Sequence, residues 1–376
     1  MRRLHLVVLI ALLALGGTST AAPGAVPAAA RNTAPASLGL SEQQWQDDKR
    51  AAWDSDGARP LLTLLWYPTD AAAPASAWPE LPFELAPVQR DAAPRAGRLP
   101  LLLLSHGTGG SAVAMAWLAE GLARQGYLVA ALNHHGNTGA EATYQLPGFL
   151  AWWERPRDLS AVLDRLLADP QWGPRIDTQR MGVIGFSLGG YTALAGLGLR
   201  LDEAAVQQRL DHCAKAAAAQ RDPQCALPPE IAGRYNQQDV QVLLREQPRL
   251  ASFATQAAQP LADARLRAAL VLAPVLGPLY DWASLQAIKQ PVLLIAGSAD
   301  DQAPAAFTAL PASRRLAQAR ISVLDGAGHY SFLSRCSKAA AARLPALCSD
   351  TPQRPRADVH REVLTQALDF FARALP

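Results

Sequence analysis

A serine stands between two glycines at the point where one sequence pattern stops and another starts. The stretch "VIGFSLGGYTALAG", Val183 to Gly196, opens as an apolar β-type run, breaks at Gly185-Phe186-Ser187-Leu188-Gly189 and continues at once as a helix. A strand leading straight through Gly-x-Ser-x-Gly into a helix is a turn that lifts the serine clear of the sheet as a nucleophile. So tight a turn tolerates almost no neighbouring side chain. Gly185 and Gly189 meet that demand, and Gly190 lets the helix approach closely. The helix N-terminus behind Ser187 favours developing negative charge. The plainer reading is a glycine-rich turn with an incidental serine.

A serine hydroxyl is a weak nucleophile and needs a base oriented by an acid. In a chain of this kind the acid follows the serine and the histidine follows the acid. "QPVLLIAGSADDQAP" sets Asp300 and Asp301 just beyond a strand, and "ISVLDGAGHYSF" sets His329 just beyond the next. Asp300 is the preferred acid, because it precedes Pro304 by four residues in a strand–loop–helix layout; Asp301 and then Asp325 are the alternatives. Among the other histidines, His5 lies in the leader, His212 in an irregular interval and His360 on a C-terminal helix. His134 and His135 precede the serine, the wrong order for a base, although they fit the wall of a cleft.

"LPLLLLSHGTGGSA" completes the set. In a His-Gly-x-Gly loop after an early strand, a backbone N–H can face a developing oxyanion. The expected donors are the Thr108 and Leu188 N–H groups, with Gly109 as the alternative to Thr108. Gly107 to Ala112 also matches the dinucleotide fingerprint G-x-G-x-x-A, which needs an acidic residue at the end of the next strand. That strand ends in Asn133-His134-His135, and the fingerprint leaves the serine turn unexplained. The expected chemistry is acyl transfer through a covalent serine intermediate, with no metal and no organic cofactor.

The elements that must hold these residues follow from the apolar pattern. Leu61–Tyr67, Leu99–Ser105, Tyr127–Asn133, Met181–Phe186, Leu270–Pro274, Pro291–Ala296 and Ile321–Leu324 read as strands, several of them apolar without alternation. Such runs suit parallel strands covered on both faces. Helices are expected at Ser111–Gln125, Arg157–Ala168, Leu188–Gly198, Pro304–Ala317 and Asp358–Ala374. The alternation predicts a three-layer α/β fold around a mostly parallel sheet. Residues 199–263 break the rhythm, with helical stretches and no convincing strand, and are too long for a simple connection. They read as a helical insertion, either a peripheral decoration or a lid. The expected organisation is a core of 59–198 and 264–376, the insertion at 199–263 and a flexible leader and N-terminal segment at 22–58.

Residues 1–21 have a basic start, an apolar stretch and small residues, the layout of a secretory signal with cleavage after Ala21 or Ala22. The apolar run is too short for a comfortable membrane span. Net charge is +3 over 376 residues, with no basic run interleaved with aromatics, which excludes nucleic acid as a natural partner. Four cysteines suit an oxidising compartment, and the local pairings Cys213–Cys225 and Cys336–Cys348 are favoured because each falls within one loop or helical hairpin. The alternatives are free thiols, or a zinc site on His212 and Cys213, although no Cys-x-x-Cys occurs.

From about "RPLLTLLWYP" to the C-terminal helix, the chain resembles the bacterial "predicted dienelactone hydrolase" group of serine α/β-hydrolases, related to the platelet-activating-factor acetylhydrolases. The resemblance rests on Ser105-His106-Gly107, Asn133 to Thr138, "RPRDLSAVLD", "GFSLGGYTAL", "GSADDQAP" and "GAGHYSFL". It implies the α/β-hydrolase fold, a triad of Ser187, Asp300 and His329, and an oxyanion position at Thr108. "CSKAAAARLPALCSD" also resembles that group's closing segment with its paired cysteines. True dienelactone hydrolases have cysteine in place of Ser187 and lack a large insertion, so lactone hydrolysis is not implied. Cutinase-type polyester hydrolases share the elbow but usually carry an aromatic at the position of Thr108. The expectation is an exported serine hydrolase of small, short-acyl esters. Its rivals are an acyltransferase on the same residues and a non-catalytic binding protein on a hydrolase scaffold. Phe149, Trp152 and Trp153 would line an acyl pocket or pack in the core.

Overall fold

Strands covered on both faces need apolar residues at every position, and alternate residues then feed two separate cores. The computed structural model describes residues 37–72, 81–216 and 225–376, so the signal segment and the start of the leader lie outside the described residues. The strands are β1 (Ser37–Ala51), β2 (Ala58–Thr69), β3 (Gln89–Arg90), β4 (Leu99–Ser105), β5 (Leu128–Leu132), β6 (Ile176–Phe186), β7 (Ala269–Leu272), β8 (Val292–Gly297) and β9 (Ala319–Leu324). Among the described residues they form one sheet in the order β3-β1-β2-β5-β4-β6-β7-β8-β9. β1 and β2 pair antiparallel, as do β2 and β5; β5, β4, β6, β7, β8 and β9 run parallel.

The helices are α1 (Ala116–Arg124), α2 (Leu146–Leu150), α3 (Glu154–Ala168), α4 (Leu188–Leu197), α5 (Glu203–Ala216), α6 (Pro229–Ala232), α7 (Gln237–Glu246), α8 (Phe253–Ala257), α9 (Trp282–Ala287), α10 (Ala309–Ser313), α11 (Lys338–Arg343), α12 (Pro345–Cys348) and α13 (Arg356–Ala374). Leu101, Leu103 and Val183 point into a core shared with Leu159, Val162 and Leu163 of α3 and Leu194 of α4. Leu102, Leu104 and Ile184 point the other way, against Leu118 and Leu122 of α1 and Val363 and Phe371 of α13. The sheet is thus sandwiched, and the ends of β4, β6, β8 and β9 open onto one edge. None of the described helices is long and apolar enough to cross a membrane.

The core starts earlier than Arg59. β1 occupies Ser37–Ala51, inside the stretch expected to be a flexible leader and N-terminal segment. Only Leu38 and Leu40 of its apolar residues are deeply buried, and its polar second half alternates between exposed and half-buried. An outer strand with one wet face carries too few apolar residues to announce itself. The helix expected over Pro304–Ala317 contracts to α10, with turns before it. Ile321 and Val323 on β9, the last strand of the sheet, remain exposed.

The interval 199–263 is helical where described, and its root belongs to the main core. Leu199, Leu201, Val206, Leu250, Phe253 and Ala257 are buried in the cluster that holds α3 and α4. Arg249 donates to the Ala51 and Ala52 carbonyls, both at 2.7 Å, and stacks 4.0 Å over the Trp53 ring. Only α6 and α7 carry a cluster of their own, Ile231 and Val240 packing on Leu146 and Phe149. Trp153 is fully buried against Phe253 and is a core residue, whereas Trp152, half-buried, packs on the same ring from the margin. Both local disulfides, Cys213–Cys225 and Cys336–Cys348, are formed, which removes Cys213 from any zinc site.

Candidate active site

At the end of β6 the chain reverses within one residue. Ser187 has φ 55° and ψ −116°, a region L-residues seldom adopt, and α4 begins immediately after it. A Cβ on Gly185 would lie 1.8 Å from the Gly189 carbonyl oxygen, and one on Gly189 would lie 2.0 Å from the Ser105 carbonyl oxygen. Both positions therefore exclude any other residue. The Ser187 N–H is held by the Leu272 carbonyl of β7 at 2.8 Å.

The loops after β8 and β9 bring two more groups to this point. His329 Nε2 lies 3.1 Å from Ser187 Oγ, and His329 Nδ1 lies 2.8 Å from Asp300 Oδ2. Asp300 Oδ1 accepts the backbone N–H groups of Gln302 (3.0 Å) and Ala303 (2.7 Å), so its carboxylate plane is fixed. With a carboxylate as acceptor, Nδ1 must carry the proton, which leaves Nε2 to accept from the serine hydroxyl. Asp301 is exposed, and Asp325 Oδ1 is engaged by Ser298 Oγ at 3.1 Å. Of the three aspartates weighed from the sequence, Asp300 is the one hydrogen-bonded to His329.

The loop after β4 passes beside the serine: a Cβ on Gly107 would lie 3.1 Å from Ser187 Cβ. The Gly109 N–H is spent on Asn137 Oδ1 at 2.7 Å. No acceptor among the described residues takes the Thr108 or Leu188 N–H. Glu230 of α6 lies over this loop, its side chain filling the space a Gly109 Cβ would need, and Tyr144 Oη donates to the Gly109 carbonyl at 2.8 Å.

Behind the loop lies a buried polar network whose parts the motifs did not reveal. Asp158 accepts both Arg59 Nε (2.7 Å) and Nη2 (3.0 Å), and Arg50 Nη1 adds a third contact at 2.8 Å. Burial raises the Asp158 carboxyl, but the Arg59 and Arg50 guanidiniums outweigh it and hold the group well below the usual carboxylate range. His134 Nδ1 donates to Asp158 at 3.0 Å, and His134 Nε2 accepts Ser105 Oγ at 2.9 Å. This is a second serine–histidine–aspartate series, but Ser105 has no exposed surface and no substrate can reach it. Arg155, on α3, donates to Ser105 Oγ (3.3 Å), the His106 carbonyl, Asn137 Oδ1 (3.5 Å) and Thr192 Oγ1 (3.2 Å). His134 and His135 do not line a cleft. His135 is buried between Glu141 (2.7 Å) and the Trp53 N–H (2.9 Å). His360 stacks on Trp117 at 3.8 Å and donates to the Leu333 carbonyl.

Three of these histidines set an acid limit on stability. Burial pushes His134 and His360 down to about 3 and His106 well below its usual range. Each refuses, when folded, a proton that the unfolded chain accepts below about 6.5. Stability is therefore complete above that pH and falls as pH drops toward the folded values. Burial raises the carboxyls of Glu120, to about 7, and of Glu230, and these work in the opposite sense. Three histidines set against two carboxyls leave a net uptake of protons on unfolding, so stability should fall as pH is lowered from about 6 to about 5. Urea unfolding at a series of pH values measures it; an unfolding free energy that stays flat or rises on acidification would contradict this assignment.

Residues 101–343 match the Alpha/beta hydrolase family, and the chain belongs to that family. Among solved structures, the chain is similar to a ferulic acid esterase from Streptomyces cinnamoneus, at 21% identity over 92% of each chain with a TM-score of 0.57. That likeness is one of fold. No curated protein matches the chain.

Proposed function

We propose that the protein is an exported serine hydrolase of small carboxylic esters, within the group that resembles the bacterial predicted dienelactone hydrolases. The observation that carries the reading is the continuous series Asp300–His329–Ser187, with spacings of 2.8 and 3.1 Å, at the ends of three strands of one sheet. Ser187 attacks the ester carbonyl while His329 Nε2 takes its proton, and Asp300 orients the imidazole and stabilises its charged form. The Thr108 and Leu188 N–H groups receive the oxyanion, a contribution of roughly 3–4 kcal/mol per donor in enzymes of this kind. His329 then protonates the leaving alkoxide, and water activated by the same imidazole releases the acid. The neighbouring fold named a ferulic acid esterase is compatible with ester chemistry. Both disulfides, together with the signal-like segment 1–21, support export. A fluorophosphonate probe tests the core of the reading. It should label one site, and digestion should place it on the peptide containing Ser187; absence of labelling would overturn the proposal.

The proposed acyl length rests on the roof. α6 lays the Glu230 side chain over the oxyanion loop and packs Ile231 on Phe149, and on this reading that cover bounds the acyl chain. Turnover of p-nitrophenyl esters should peak at roughly two to six acyl carbons, since pocket length discriminates by methylene. Methyl ferulate belongs in the same series. Deleting 199–263 is a poor test, because its root is core; Ile231→Ala is better and should move the maximum to longer chains by about two carbons. A maximum at long chains in the unaltered protein would refute the roof.

A further inference from the structure

We infer that Arg155 is the positioning residue of the oxyanion site, holding the loop that carries Thr108 and the helix that carries Leu188 in one geometry. The inference rests on the serine-hydrolase reading above and assigns a role that the triad does not contain. Arg155 is 1% exposed, and its guanidinium touches both donor-bearing segments. On the loop side it donates to the His106 carbonyl and, at 3.5 Å, to Asn137 Oδ1, which in turn accepts the Gly109 N–H at 2.7 Å. On the helix side it donates to Thr192 Oγ1 at 3.2 Å, and that hydroxyl donates to the Leu188 carbonyl at 2.9 Å.

The consequence lies in the peptide planes. Peptide 106–107 is pinned through its carbonyl by Arg155 itself, and peptide 108–109 through its N–H by Asn137, which Arg155 also bonds. Between them lies peptide 107–108, which the backbone freedom of Gly107 would by itself let rotate. Its carbonyl is taken by His106 Nδ1 at 2.7 Å and by the Gly110 N–H at 3.2 Å, so the Thr108 N–H must point the opposite way. Among the described residues no carboxylate reaches Arg155. Its charge is balanced at a remove, by Asp158 through His134 and Ser105. A fully buried cation bonded only to neutral groups is a poor stability device. Burial pushes it down only to about 9, so the charge persists at neutral pH. A planar fork reaching four acceptors on different elements is a task that lysine cannot perform.

The test uses paired substrates in the full chain: a carboxylic ester and its thionoester, whose C=S accepts N–H hydrogen bonds poorly. An intact oxyanion site favours the oxygen ester strongly. Arg155→Met and Arg155→Lys should lower kcat by about 10²-fold with KM changed little, as expected for a displaced donor. The oxygen-to-sulfur rate ratio should shrink by about tenfold. A role in folding alone would scale both rates together, with active sites counted by phosphonate titration, and leave the ratio unchanged. Thr192→Val, which removes only the link to α4, guards against variants that do not fold and should reduce the ratio in the same direction. An unchanged ratio in every folded variant overturns the inference. If Ser187→Ala is inactive while the ratio is unmoved, the positioning role alone fails; if Ser187→Ala remains active, the underlying reading fails first.

Discussion

Ser187→Ala is expected to reduce ester turnover by about 10⁴-fold or more while leaving the fold unchanged. The hydroxyl is bonded to His329 Nε2 and is the only atom the substitution removes. The Ser187 N–H, which bonds Leu272, and the backbone angles of the turn remain. What survives should be catalysis by the oxyanion donors acting on water. His329→Ala in the same chain should add little, since a nucleophile without its base and a base without its nucleophile fail at one step. Turnover of p-nitrophenyl acetate, with the urea midpoint as a control for folding, decides the matter. Wild-type turnover in a folded Ser187→Ala protein would exclude the mechanism.

Asp300→Asn should cost about 10³–10⁴-fold in kcat, and Asp301→Asn less than about threefold. The difference is one of contact. The Asp300 carboxylate faces His329 Nδ1 with one oxygen and two backbone N–H groups with the other. In the asparagine variant the amide oxygen is best used on the two backbone donors, so the NH₂ faces the imidazole. That selects the tautomer with its proton on Nε2, aimed at the serine, where it cannot serve as a base. Asp301 is exposed and free of this geometry. Kinetic ranking of the two variants is the measurement, and the reverse order would transfer the acid's role to Asp301.

The parts of the site that were legible in the sequence are those whose demands are local. Gly185 and Gly189 are required by contacts inside the turn itself, so the motif carries its own geometry. β4, β6 and β8 were legible because strands buried on both faces cannot hide their composition. β1 was not, because an outer strand with one wet face is written in the residues of a loop. Arg155 and Asp158 stood in view within "RPRDLSAVLD", yet a charged pair at the start of a helix reads as a solvated face. Their burial depends on Arg59 and Ser105, about 100 and 50 residues away in the chain, and no local pattern reports it. His134 and His135 misled for the same reason, being braces under the loop rather than walls of a cleft.

The conformation of Ser187 has a bearing on how such a chain changes over generations. A side chain at φ 55° and ψ −116° costs about 1–3 kcal/mol, whereas glycine occupies that region without strain and gives up only about 0.5–1 kcal/mol through its freer unfolded state. Selection for folding alone therefore pulls against the proposed nucleophile. A lineage released from its substrate would drift to glycine at this position and become sturdier as it fell silent, keeping the sheet, the buried arginines and the glycine pair that once framed the serine.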